Sequence, residues 1–112
     1  MNSNFEYDPE WGQLLNKLKI IIGKRPTLNA ILFLIGVQEL GKGLKTFSKE
    51  EKQDLMHIGI CRLLSSSGYY ELEGLDEQGW PHYKLIQPLP KFDLLEQEKL
   101  LKIHIKEYFK NL

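Results

Sequence analysis

The sequence contains a single cysteine among its 112 residues, and this scarcity excludes two classes of small protein. One cysteine cannot form a disulfide within the chain, so the disulfide-stapled secreted domains are excluded. Zinc sites built from four cysteines are excluded for the same reason. A lone thiol is typical of a reducing compartment, and we therefore expect a cytoplasmic protein.

The chain also lacks an excess of charge of either sign, a signal-like start and a long apolar run. Fifteen basic and fifteen acidic side chains give a formal net charge of +0, so no global attraction to nucleic acid or acidic membranes is expected. The first residues have no basic start followed by an apolar core, which predicts no secretory signal. The most apolar stretch, residues 28–37, is far shorter than the ~20 residues that cross a bilayer, so we expect no membrane partner.

What is present is an ordinary globular composition. The hydrophobic fraction of 42% and the charged fraction of 27% are enough to build a core and exclude disorder of the whole chain. Residues 1–10 are polar and acidic, and we interpret them as a flexible lead-in. Residues 11–112 are then a single domain of common size.

Apolar spacing and stop signals predict two helices in the first half of the domain. A stripe that begins at Trp11 continues to Gly23, where the first helix ends. Thr27 is a plausible N-cap for the second helix, which runs to about Leu40 and is apolar on most sides. Gly41 supplies its stop.

Two capping signatures mark the start of the third and fourth helices. Residues 48–51 read Ser-Lys-Glu-Glu, a capping box, and the third helix that follows ends in the run 65–68. Residues 93–96 read Asp-Leu-Leu-Glu and start a long last helix that runs to about Phe109.

The segment between these two helices has the pattern of a β-hairpin. Residues 69–73 and 80–86 are rich in aromatic and β-branched residues or alternate apolar with polar, and a turn-rich connector separates them. The predicted fold is mainly α, within the α+β class, with four helices and one β-hairpin between the third and fourth.

This order of elements resembles a winged-helix domain, in which a three-helix unit is followed by a two-stranded wing. The resemblance is carried by residues 63–70, Leu-Leu-Ser-Ser-Ser-Gly-Tyr-Tyr, where a helix passes through a glycine turn into a strand. The connector containing Gly79 and the string 83–86, Tyr-Lys-Leu-Ile, correspond to the wing. The resemblance implies nucleic-acid binding and a C-terminal helix that serves as a dimer arm.

Charge argues against the nucleic-acid version of this resemblance, because a recognition helix and wing should carry Lys and Arg to meet phosphates. In the third helix Lys49, Lys52 and Arg62 are cancelled by Glu50, Glu51 and Asp54. The hairpin carries four acids, Glu71, Glu73, Asp76 and Glu77, against the one base Lys84. The alternative nucleic-acid surface would be a basic patch formed by the two helix connectors, if they fold together. If they do not, the two connectors are solvated loops. That patch consists of Lys17, Lys19, Lys24, Arg25, Lys42 and Lys45.

One pair of residues has spacing suited to chemistry. His57 and Cys61 are four residues apart and share one face of the third helix. With His82 or His104 they could hold a metal ion in an open site. Alternatively, His57 could act as a base for a Cys61 nucleophile. The chain has no HExxH or CxxC motif to strengthen this, and a thiol in mid-helix is typical of a core residue. We therefore expect no metal, no cofactor, no catalytic residue and no enzymatic activity.

Two features favour a binding function. The string 80–83, Trp-Pro-His-Tyr, sits where an edge strand could receive a partner, although Trp80 and Tyr83 could instead pack against Tyr69 or Tyr70 across the hairpin. The last helix has more apolar surface than a small body covers. The sequence thus predicts a non-catalytic adaptor or protein–protein interaction domain that homodimerises through residues 93–110. The predicted partner-binding residues are Trp80, His82, Tyr83, Leu94, Leu101, Ile105 and Tyr108.

Overall fold

The structure is a computed structural model that describes residues 8–43 and 45–112. Within these ranges it contains four helices and one antiparallel hairpin between the third and the fourth, which confirms the predicted fold class. The elements, in chain order, are α1 (Pro9–Ile22), α2 (Leu28–Leu40), α3 (Lys49–Ser65), β1 (Tyr70–Leu75), β2 (Pro81–Leu85) and α4 (Leu94–Tyr108).

The first helix begins earlier than the apolar stripe predicts. Its N-cap is Asp8, whose side chain accepts from the Trp11 N–H at 3.1 Å, and Pro9 takes the first helical position, where its missing N–H is harmless. The Lys106 ammonium lies 2.8 Å from the Asp8 carboxylate and lowers its pKa. Residues 9 and 10 therefore belong to α1, while residues 1–7 of the expected lead-in lie outside the described residues.

The second and third helices pack antiparallel at unusually close range. An added Cβ on Gly36 of α2 would lie 1.9 Å from the Leu55 carbonyl oxygen, and one on Gly59 of α3 would lie 2.3 Å from the Leu32 carbonyl oxygen. Each helix therefore places a glycine against the backbone of the other. This crossing fixes the position of α3 and of the hairpin that follows it.

The core consists of two clusters on either side of this crossing. The first joins α1, α2, α3 and α4 and contains Leu14, Leu15, Leu18, Ile31, Leu32, Ile35, Leu63 and Ile105. The second lies toward the hairpin, where Trp80 and Tyr83 pack against Val37, Leu40, Phe47, Leu55 and Ile58. The hairpin is thus fastened to the helices by aromatic side chains.

The last helix is bound to the rest of the chain by apolar and polar contacts together. Ile105 is fully buried, and Leu101 packs against the first cluster. The Tyr108 hydroxyl donates to the Glu39 carboxylate at 2.7 Å, and the Arg62 guanidinium contacts the same carboxylate at 3.3 Å. Burial and the neighbouring carboxylate raise the pKa of Tyr108. One cluster of side chains therefore ties α2, α3 and α4 together.

The hairpin has a defined register with one irregularity. Tyr70 lies opposite Leu85 and Leu72 opposite Tyr83, so these four side chains share one face of the two-stranded sheet. The register shifts between Leu72 and Gly74, where β1 contains one extra residue. This bulge bends the strand just before the turn that faces α3.

Candidate functional site

A cleft of about 450 Å³ lies between the first half of α3 and the turn of the hairpin. It is lined by side chains from both elements, so the packing of the hairpin on α3 creates it. The lining residues are Glu51, Asp54, His57, Ile58, Asp76, Gln78, Trp80, Pro81 and His82. We refer to this site as the α3–hairpin cleft.

One wall of the cleft is a turn organised by Asp76. One carboxylate oxygen of Asp76 accepts the backbone N–H groups of Gln78 and Trp80, each at 2.9 Å. The other oxygen lies 3.0 Å from Nε2 of His82. These contacts, the one with His82 first, lower the pKa of Asp76. The Lys42 ammonium donates to the Gln78 carbonyl and ties the turn to the α2–α3 connector.

The base of the cleft is aromatic. The Trp80 ring meets the Phe47 ring edge-on at 6.4 Å, and Phe47 in turn meets Phe33 at 6.0 Å. Trp80 therefore packs against the α2–α3 connector and not against Tyr69 or Tyr70 across the hairpin. Since Trp80 is only half-buried, part of its surface is available to a ligand in the cleft.

The cleft is acidic. Three carboxylates, of Glu51, Asp54 and Asp76, line it, and none of the described lining residues is Lys or Arg. In a winged-helix domain the surface beside the recognition helix and wing would meet nucleic acid. Carboxylates on that surface would repel the phosphates. The charge of the lining therefore favours a positively charged ligand over a phosphate.

Sequence reasoning named Trp80 and His82 but missed the acidic lining. The bases Lys49 and Lys52 were set against Glu51 and Asp54 as a cancelling group. At 100° per residue, however, the two lysines lie on the other side of α3 from the cleft. The available signal was the helical position of each charge, which a count of charges along the segment hides.

The predicted basic patch is divided by the fold. Lys24 and Arg25 precede the N-terminus of α2, whereas Lys42 and Lys45 follow its C-terminus. The 13 residues of α2 separate the two groups by about 20 Å, since each residue rises about 1.5 Å. The two connectors therefore lie at opposite ends of α2, and the condition for a combined patch, that they fold together, is not met. Lys17 and Lys19 lie on α1 and belong to the first group.

The apolar stripe of α4 is used within the chain. Ile105 is 0% exposed and therefore offers no surface to a partner. Leu101 and Tyr108 pack against the first core cluster and remain partly exposed. Leu94, by contrast, is 80% exposed. Tyr83 is partly buried against the second cluster, while His82 is exposed on the cleft.

Of the residues considered for metal binding or catalysis, His57 and His82 both line the α3–hairpin cleft, whereas His104 lies elsewhere. His57 Nε2 lies 3.4 Å from the Cys61 sulfur, but His82 bonds Asp76. His104 Nε2 lies 2.6 Å from the Ser67 hydroxyl, at the opposite end of α3. In residues 8–43 and 45–112 no three His, Cys, Asp or Glu side chains are grouped so as to hold a metal ion.

The Cys61 thiol is expected to be unreactive in the folded protein. It is 1% exposed, and burial raises its pKa to about 11, which lowers the thiolate fraction at neutral pH by about 100-fold. Alkylation by iodoacetamide, followed by mass spectrometry, should be at least about 100-fold slower in buffer than in urea. The control is Cys61→Ser combined with Gln53→Cys, which places the thiol on the exposed side of α3. Equal rates for the two folded proteins would contradict the prediction.

Comparison with known proteins adds no assignment. No protein-family model matches the chain, no curated protein matches its sequence, and no solved structure matches its fold. Among the described residues no helix is long and apolar enough to cross a membrane.

Proposed function

We propose that this chain is a non-catalytic protein–protein interaction domain whose α3–hairpin cleft binds a basic segment of a partner protein. The observation that carries the proposal is the combination of three carboxylates with a partly exposed tryptophan in one cleft. A Lys or Arg side chain is attracted both by carboxylates and by the face of an indole ring. The buried free thiol agrees with a cytoplasmic setting for such a domain.

The arrangement of the cleft favours recognition over catalysis. Asp76 is committed to the turn, and Glu51 is committed to the capping box of α3, in which its carboxylate accepts the Ser48 N–H at 2.9 Å. Asp54 is exposed and has no such structural duty among the described contacts. A bound cation would therefore meet Asp54 directly, with the other two carboxylates contributing their charge at fixed positions.

The size of the cleft limits what it receives. A volume of about 450 Å³ lies at the lower end of the range for sites that enclose small molecules. It accommodates one or two side chains of an extended peptide and not a whole helix. We therefore propose that one Lys or Arg enters beside Trp80 while its neighbours in the sequence remain at the rim.

The test is a titration with a short end-blocked peptide of Arg, Lys and Gly, followed by NMR. We expect the Trp80 indole N–H resonance to shift on binding, and Asp54→Asn to weaken the affinity about five-fold, the effect of one partly exposed charge pair. The matched control is Glu71→Gln, which removes a carboxylate from the hairpin but not from the lining of the cleft. A peptide in which Glu replaces the bases should leave the resonance unchanged.

Two results would overturn the proposal. Equal weakening by Asp54→Asn and Glu71→Gln would show attraction to overall charge and not to the cleft. Binding of a short DNA duplex near 50 mM salt, with no response to the basic peptide, would favour the winged-helix alternative, a nucleic-acid-binding regulator.

A further inference from the structure

The last turn of α1 presents three consecutive isoleucines to solvent. Ile20, Ile21 and Ile22 are 84%, 61% and 38% exposed. Successive helical residues are 100° apart, so these side chains point to three different sides of the helix. A helix that rested along the core would bury at least one of them. The last turn therefore projects beyond the core as an apolar tip, which we name the isoleucine tip.

Four basic residues flank this tip in the sequence. Lys17 and Lys19 precede it, and Lys24 and Arg25 follow it directly. The sequence contains no Asp or Glu from residue 11 to residue 38, so these four charges are not balanced by nearby acids of the same segment. Arg25 bonds the side-chain oxygen of Asn16 at 3.4 Å, and Lys17 bonds the backbone oxygen of Leu112 at 3.2 Å.

We propose that the isoleucine tip docks on the surface of an anionic lipid bilayer. Such a surface offers negative headgroups above an apolar layer, and the tip offers bases around a projecting apolar end. The apolar faces of surface-bound helices lie about 5–10 Å into the boundary between headgroups and acyl chains, a depth that one helical turn of about 5 Å begins to reach. Docking of this kind requires no membrane-spanning helix, and it departs from the expectation that the chain has no membrane partner.

The isoleucines distinguish a bilayer from a nucleic acid. Phosphates of a duplex would be attracted by the four bases, but three branched apolar side chains at the centre of the contact would face charged, hydrated groups. A bilayer satisfies both the charges and the apolar end. The tip lies at the N-terminal end of α2 and the α3–hairpin cleft lies at its C-terminal end. The failure of one proposal would therefore leave the other unaffected.

The test is flotation of the purified chain with vesicles. Vesicles of phosphatidylcholine with about 30% phosphatidylserine should carry the protein upward, and those of phosphatidylcholine alone should carry much less. Because exposed charges are screened by salt, the bound fraction should fall between about 0.1 M and 0.5 M NaCl. Failure of the wild-type chain to float with the anionic vesicles at the lower salt would overturn the proposal.

Two variants separate the apolar and the charged contributions. Lys24→Gln with Arg25→Gln should lower the partition coefficient about 25-fold, at about five-fold for each base. Ile20→Ser with Ile21→Ser should also abolish most of the binding, although it removes no charge. Thermal unfolding of both variants should match the wild type, since all four positions are exposed.

The matched controls remove equivalent side chains at positions away from the tip. Ile103 on α4 is 60% exposed, so Ile103→Ser removes an apolar side chain away from the tip, and Lys52→Gln removes a base from α3. Neither should change flotation. If Ile20→Ser with Ile21→Ser binds vesicles as the wild type does, the contact is electrostatic only and the proposal is wrong. Equal binding of a DNA duplex by the wild type and by this variant would lead to the same conclusion.

Discussion

Replacing Gly36 by alanine is expected to lower the free energy of unfolding by about 3 kcal/mol. The new Cβ would lie 1.9 Å from the Leu55 carbonyl oxygen, which belongs to the backbone of α3 and cannot rotate away as a side chain can. The two helices would have to separate, and the contacts on both sides of the crossing would loosen. Because domains of this size have a total stability of about 5–15 kcal/mol, one methyl group would remove a large share.

Urea unfolding followed by circular dichroism measures this effect, and a second glycine in a helix supplies the control. Gly12 lies in α1, where an added Cβ meets nothing within 4 Å. Gly12→Ala should therefore stabilise the protein by about 0.5–1 kcal/mol, since alanine restricts the unfolded chain and favours the helix. Should Gly36→Ala fail to fold, Gly59→Ala tests the same crossing from the other helix. An unfolding free energy unchanged in both variants would contradict the close approach.

Ile105→Ala should lower the free energy of unfolding by about 3 kcal/mol, within the range for a large side chain deleted from a core. Ile105 is 0% exposed and joins α4 to the first core cluster, so alanine would leave a cavity at this junction. Ile103→Ala is the control on the same helix, because Ile103 is 60% exposed and its loss should cost less than about 1 kcal/mol.

The same pair of variants tests homodimerisation through residues 93–110. If α4 packs on its own chain, the thermal midpoint of the wild type and of Ile105→Ala should not depend on protein concentration. A thermal midpoint that rises with protein concentration in the wild type, but not in Ile103→Ala, would instead support a dimer built on the outer side of α4. Light scattering of the wild type at high concentration gives the mass directly.

The starts and ends of the elements were largely predictable, because capping chemistry is local. Ser48 and Asp93 form the predicted capping boxes, and Thr27 caps α2 by accepting the Ala30 N–H at 3.1 Å. Gly23 and Gly41 end α1 and α2 in the left-handed conformation that favours glycine. The start of α1 lies two residues before the predicted Trp11, because the Asp-Pro pair begins the helix, and β1 extends to Leu75, two residues beyond the predicted strand.

Features that depend on two distant segments were not predictable in the same way. A glycine inside a helix, such as Gly36, signals either weakness or a close neighbour, and the sequence does not say which neighbour. The apolar face of α4 predicts that something covers it, but periodicity is the same whether the cover is the chain itself or a second copy. The acidic cleft arises because the bulged hairpin brings Asp76 toward Asp54, residues with no local relation.

The separation of charge along α2 gives the molecule a property that its net charge hides. The acid-free segment around Lys24 lies at one end of this helix, and the three carboxylates of the α3–hairpin cleft lie toward the other, where Lys42 and Lys45 offset part of their charge. A chain of formal charge +0 with this arrangement has a permanent electric dipole moment and orients in an external field. In dilute buffer neighbouring molecules attract one another head to tail, and added salt screens that attraction. Salt should therefore increase the solubility of this protein near its isoelectric point.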